Sequence, residues 1–126
     1  MPPRLKNTGT RLTPPDPICA SAMVREGATG FRFEVDWHGT RAAAFVIRHL
    51  GRAHAYLNRC GHIPVELDWQ PGEFFDSSRL YLVCATHGAL YDPTSGACLG
   101  GRCEGRGLVV LPVEERDGHL FLIKEN

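Results

Sequence analysis

Residues 31–38 read Phe-Arg-Phe-Glu-Val-Asp-Trp-His, apolar and polar in strict alternation. No window of the chain carries a sustained apolar period of 3.6 residues. The first pattern is that of a half-buried strand; the lack of the second removes long amphipathic helices from consideration. Glycine (14) and proline (9) are spread through the 126 residues and punctuate every apolar run. The chain is therefore expected to be all-β, a sandwich or barrel of short strands.

The remaining strands follow from the same punctuation. His38-Gly39-Thr40 reads as a turn joining the first strand to a second over 41–48. Gly51-Arg52 turns again into a third over 53–58. Residues 79–84 and 89–91 are strand-like on either side of Thr86-His87-Gly88, and 92–96 (Asp-Pro-Thr-Ser-Gly) is a strong turn signal. A strand over 108–113, with Pro112 suggesting an edge or an end, leads through Asp117-Gly118 to a closing strand over 119–124. Five of the nine prolines fall in residues 1–17, which lack periodic apolar pattern. They are read as a proline-rich strap or tail, with the domain over 18–126.

Composition narrows the function. Lys plus Arg (14) equals Asp plus Glu (14), so no basic field invites nucleic acid or a membrane surface. The apolar runs 42–47 and 18–24 are far too short to cross a bilayer, and Met1-Pro2-Pro3-Arg4 leads into no signal-peptide core. A cytoplasmic protein is the expectation. Five cysteines, an odd number, do not suit a disulfide framework; in a reducing compartment they are ligands or buried thiols.

Two segments carry chemistry: Cys60-Gly61-His62 and Cys84-Ala85-Thr86-His87. Each offers one thiol and one imidazole where a strand breaks into a glycine-containing loop. Folded together they could hold one zinc ion in a Cys₂His₂ tetrahedron. Structural zinc sites usually pair like with like on each knuckle, however, and here each loop gives one of each. Two irons would use that arrangement, with thiolates on the buried ferric ion and imidazoles on the outer, reducible one.

Cys60-x-His62 and Cys84-x-x-His87-Gly88 resemble the ligand signature of the Rieske [2Fe–2S] domain family. The likeness continues through Ala89-Leu90-Tyr91-Asp92, Thr94-Ser95-Gly96-x-Cys98 and Gly100-Gly101, covering the chain from about Phe31 onward. The resemblance implies a Rieske-like sandwich of short antiparallel strands with a small cluster-binding subdomain, its loops at about 58–64 and 84–91. It implies that Cys60 and Cys84 bind one iron and His62 and His87 the other.

The chain departs from the family in three places. The 21 residues between His62 and Cys84 exceed the interval of compact Rieske ferredoxins, and 68–78 looks like an insertion whose aromatics are core or a partner-docking patch. Neither loop carries the extra cysteine of the cytochrome-complex branch. Arg102 stands in the third loop where the family carries proline. Cys98 and Cys103 are expected to be buried thiols rather than a disulfide, Cys19 to be core, and His38, His49, His54 and His119 to be surface or turn residues.

The implied function is that of a soluble one-electron carrier, not an enzyme by itself, moving electrons from a reductase to an oxygenase or other acceptor. A small nitrite-reductase-like subunit or a zinc-stabilised binding module are the alternatives. The apolar residues Ile63, Pro64, Ala89 and Leu90 are expected either to face the partner around His62 and His87 or to pack the loops together. High-potential relatives carry a serine at position 89 and a tyrosine at 91. Ala89 lacks the hydroxyl and Tyr91 keeps one, which implies a potential in the lower Rieske range.

Overall fold

A computed structural model describes residues 11–12, 17–60, 65–86, 88–101, 103 and 105–123. Among these, strands dominate and the one helical element is a 3₁₀ turn at Ser21–Met23. The strands are β1 (Arg11–Leu12), β2 (Pro17–Ala20), β3 (Phe31–Trp37), β4 (Thr40–His49), β5 (Arg52–Leu57), β6 (Leu82–Val83), β7 (Leu90–Tyr91), β8 (Cys98–Gly100), β9 (Val110–Leu111), β10 (Val113–Arg116) and β11 (His119–Leu122). They form three sheets, ordered β1-β3-β4-β5-β9, β10-β11-β2 and β6-β7-β8.

The first two sheets make a sandwich. Phe31, Phe33, Val35 and Trp37 all turn to its core, as the alternation predicts, and meet Ile18, Leu120, Val113 and Leu122 of the second sheet. Among the described residues, the strands pair antiparallel except β1, whose Arg11 and Leu12 lie parallel to Glu34 and Val35 at the sheet edge. The rest of the proline-rich segment read as a strap, residues 1–10 and 13–16, lies outside the described residues. Arg48 pins the layers together. It pairs through both terminal nitrogens with Glu115 on β10 (2.9 and 3.1 Å) and donates from Nε to Val24 O (2.8 Å).

β4 is buried on both faces. Ala42, Ala44 and Val46 belong to the sandwich core, while Phe45 and Ile47 point the other way into a second core. This second core holds Tyr56, Leu67, Phe74, Phe75, Leu82 and Leu108, with Phe45 stacked on Phe74 at 3.8 Å between ring centroids. The chain enters this region at the end of β5 and returns at β9. Leu57 N donates to Val109 O (3.0 Å), and Tyr56 and Ala55 pair with Val110 and Leu111, so the excursion closes at a neck.

Three expectations change. The strand expected over 79–84 is confined to Leu82–Val83, because Arg79 takes a positive φ (66°) in a turn in which its N–H donates to Asp76 O. The single strand over 108–113 is two, β9 and β10, separated at Pro112, which has no N–H for a ladder. β8 was not foreseen among its flanking glycines. The Asp117-Gly118 turn holds: both residues have positive φ (51° and 75°), which suits a tight hairpin.

A candidate metal centre between two loops

Beyond β5 the chain leaves the sheet through a buried polar anchor. Asn58 Oδ1 accepts from Leu67 N (2.8 Å), and Asn58 Nδ2 donates to Asp68 Oδ1 (2.9 Å). The other carboxylate oxygen of Asp68 accepts from Gly72 N (2.9 Å) and pairs with Arg32 Nε (3.1 Å). The Asp68 carboxylate is fully buried, so these partners replace the water it has lost. The anchor ties both ends of the first loop, and the start of the insertion, to β3.

The first loop is closed by Cys60 N donating to Val65 O (2.7 Å). The second is closed twice, by Cys84 N to Ala89 O (2.9 Å) and by Gly88 N to Cys84 O (2.7 Å). Ala85 N donates to Leu67 O (3.0 Å) and so stitches one loop to the other. Cys60 and Cys84 are both buried in the second core. Tyr91, fully buried on β7, brings its hydroxyl to 3.3 Å from Cys60 Sγ. A cysteine held as a metal-bound thiolate has only acceptor capacity, so the hydroxyl would then be the donor.

A third loop lies on the second. Gly101 has φ +86°, and a Cβ there would stand 2.8 Å from Ala89 Cα and 2.9 Å from Gly88 O. No other residue type fits without moving that loop. The loop is closed by a disulfide between Cys98 and Cys103, with Cα atoms 5.9 Å apart. This corrects the expectation of two buried thiols. The turn through Gly100-Gly101 brings the positions within bridging distance, which a general argument from compartment does not see.

The remaining candidate residues divide. His62, His87, Ile63 and Pro64 lie outside the described residues. Ala89 is fully buried beneath Gly101, so it packs the loops and is not part of an exposed face. Leu90 is half-buried. In the segment 68–78, read from sequence as an insertion, Phe74 and Phe75 are core, whereas Trp69 is 81% exposed. Leu99, beside the third loop, is exposed too. Cys19 packs against the sandwich core as expected, and burial pushes its thiol up to about 11, so it stays protonated at neutral pH. His49 and His54 are half-buried on β4 and β5 rather than on the surface, and desolvation lowers the pKa of His54. The Asn58–Asp68–Arg32 anchor was not anticipated: no spacing rule links a buried Asn with a carboxylate ten positions on and an Arg two strands away.

A family model described as the Rieske [2Fe-2S] domain matches residues 15–117. Among solved structures, the ferredoxin of carbazole 1,9a-dioxygenase from Nocardioides aromaticivorans IC177 is similar over 90% of this chain and all of its own, with 20% identity and a TM-score of 0.69. A chain in the complex of reduced oxygenase and oxidized ferredoxin in carbazole 1,9a-dioxygenase matches over 86% of this chain and 100% of its own (21%, 0.66). The Sphingomonas yanoikuyae B1 ferredoxin matches over 87% and 98% (22%, 0.62). At these identities the likeness is one of fold. No curated protein sequence is close enough to match.

Proposed function

Because this chain belongs to the Rieske [2Fe-2S] domain family, whose cofactor is a [2Fe–2S] cluster, we propose that it is a one-electron carrier in which Cys60 and Cys84 hold one iron and His62 and His87 the other. The observation that carries the ligand assignment is the burial of Cys60 and Cys84 in one core, on two loops joined by the Ala85–Leu67 hydrogen bond. The donor set fits the group: two sulfurs shielded from water, and an imidazole two residues beyond Cys60 and three beyond Cys84. When bound, the cluster supplies a one-electron couple.

The chain's own residues then have definite tasks. The Asn58–Asp68–Arg32 anchor and the bonds from Cys84 N to Ala89 O and from Gly88 N to Cys84 O fix the backbone from which the thiols project. With the cluster bound, the Tyr91 hydroxyl, 3.3 Å from the Cys60 sulfur, would donate to it, which would stabilise the reduced, more negative state and raise the potential. Ala89 contributes no hydroxyl, which leaves the potential in the lower part of the family's span. The electron comes from a reductase and passes to an oxygenase or other acceptor; the similar fold of ferredoxins from dioxygenase systems supports that setting. Among the described residues no helix is long and apolar enough to cross a membrane; a cytoplasmic location is part of the same proposal.

The test is chemical. Purified protein should be red-brown and carry about two irons and two acid-labile sulfides per chain. Cys60→Ser, Cys84→Ser, His62→Ala and His87→Ala should each lose the normal cluster. Colourless protein containing zinc, or near-normal iron and sulfide in those variants, would refute the assignment.

A further inference from the structure

Residues 98–101 and Cys103 play no part in the reading above, yet they are built against the second loop. Gly100 pairs with Leu90 and Cys98 with Tyr91, so β8 lies directly on the strand that follows the loop and carries the tyrosine. Cys103 is fully buried in the core that holds Cys60, Cys84, Ala89 and Tyr91. Gly101 meets Gly88 and Ala89 closely enough to leave no room for a side chain.

Without a crosslink this contact would be weakly held. The β7–β8 ladder is two residue pairs long, and its register shifts between Leu90 and Tyr91. Consecutive glycines at 100 and 101 give the connecting turn the greatest backbone freedom to lose. A covalent bridge from Cys98 to Cys103 removes much of that freedom.

We propose that the Cys98–Cys103 disulfide is a positioning clamp: it presses the third loop onto Gly88–Ala89, and a dithiol reductant releases it. The location allows this. Cys103 is buried, but Cys98 is only partly so, and Leu99 and Gly101 beside it are exposed. A dithiol's thiolate attacks Cys98 Sγ, the bridge breaks, and Cys103 leaves as a thiolate that takes a proton. The reductant's second thiol then displaces Cys98, which is protonated in turn. Two electrons and two protons pass from the dithiol to the pair, and the reductant leaves as a disulfide.

The consequence for the metal centre rests on the function proposed above; the clamp itself does not. Releasing it admits water beside the second loop. The reduced cluster carries one more negative charge than the oxidised one, and water favours the more charged form, so the midpoint potential should rise.

Four measurements test the clamp, on wild type, on wild type treated with a dithiol, and on Cys98→Ala, which removes the less buried partner. Thiol alkylation before and after reduction should show two cysteines protected as a pair. Amide exchange at Gly88, Ala89 and Leu90 in the metal-free protein should quicken on the order of tenfold without the bridge, with β3–β5 unchanged. In loaded protein the potential should rise and iron loss to a chelator should quicken. Both thiols alkylated without reduction, or exchange at 88–90 the same with and without the bridge, would overturn the proposal. Protein that never binds iron but shows the exchange difference would defeat the functional reading and leave the clamp standing.

Discussion

The two faces of β4 have been filled by different means. On one side the core lies between sheets, and its residues arrive by period-two alternation along β3, β4 and β5 and along the facing β2 and β11. On the other, Phe45 and Ile47 meet residues delivered by turns and two-residue strands, among them Cys60, Cys84 and Cys103. The first core is held by ladders, where neighbouring bonds share the load. The second has only the two-pair ladders of β6-β7-β8 and leans on single contacts beside them, among them the Asp68 carboxylate, the Phe45–Phe74 stack and the Cys98–Cys103 disulfide. A site needing sulfurs at fixed positions sits where backbone can be irregular, and each irregularity needs its own restraint.

The largest effects should come from removing a ring or a branched side chain from either core. Phe74→Ala should cost about 3–5 kcal/mol and Leu120→Ala about 2–5 kcal/mol. The comparison sharpens if amide exchange is followed: Leu120→Ala should lower protection throughout both sheets, Phe74→Ala chiefly over 65–86. Uniform loss in both variants would show one cooperative unit and erase the distinction.

Asp68→Ala comes next, at about 2–4 kcal/mol, because it strands the buried Asn58 amide and the Gly72 N–H. Denaturant titration measures the cost. Asp68→Asn should recover part of it, since an amide oxygen can still accept.

Acid should act on the sandwich side. The Arg48 guanidinium holds the Glu115 carboxyl below its ordinary 4.5. The backbone N–H groups of Gly51 and then Leu50 do the same for Glu26 at the β4–β5 turn. Both are depressed in the folded state, so their contribution is complete above about pH 4.5 and is lost as pH falls through their lower folded values. Melting temperature should therefore fall below about pH 4.5, and the fall should be smaller in Glu115→Gln, which has already lost its share.

Two small changes probe single positions. Leu50 has φ 55° in that turn and is 77% exposed, a costly conformation for a branched residue with nothing to bury. Leu50→Asn should stabilise the protein by about 1 kcal/mol in thermal denaturation. Tyr91→Phe should alter stability less than any of these. Its effect should be a drop in midpoint potential of about 40 mV, the one-electron equivalent of a net hydrogen bond near 1 kcal/mol. Voltammetry on the loaded variant reads it.

The same division governs what the sequence discloses. The β3–β5 meander and the β10–β11 hairpin are legible because alternation and turn residues are local signals. The thiols and Tyr91 stand out in the sequence because their spacing matches a family signature, and the structure brings the Tyr91 hydroxyl to Cys60. Composition could not separate Trp69, which faces solvent, from Phe74 and Phe75, which fill the core, because that depends on how the insertion folds back on Gly30. The disulfide is not legible from thiol chemistry alone, because average thiol behaviour does not describe two positions that a glycine turn brings together. The Asn58–Asp68–Arg32 anchor joins residues from three separate segments, and one sequence holds no local sign of such a meeting.

The neck between β5 and β9 gives the molecule a modular economy. Residues 58–108 leave and re-enter through adjacent strands, so to the first sheet they are an oversized hairpin loop. A short turn could take their place without altering the strand order. The scar would be Phe45, Ile47 and Tyr56, a greasy stripe suddenly facing solvent. Recoloured with polar residues, that stripe would turn the remainder into a plain scaffold on which a different loop assembly could be grafted.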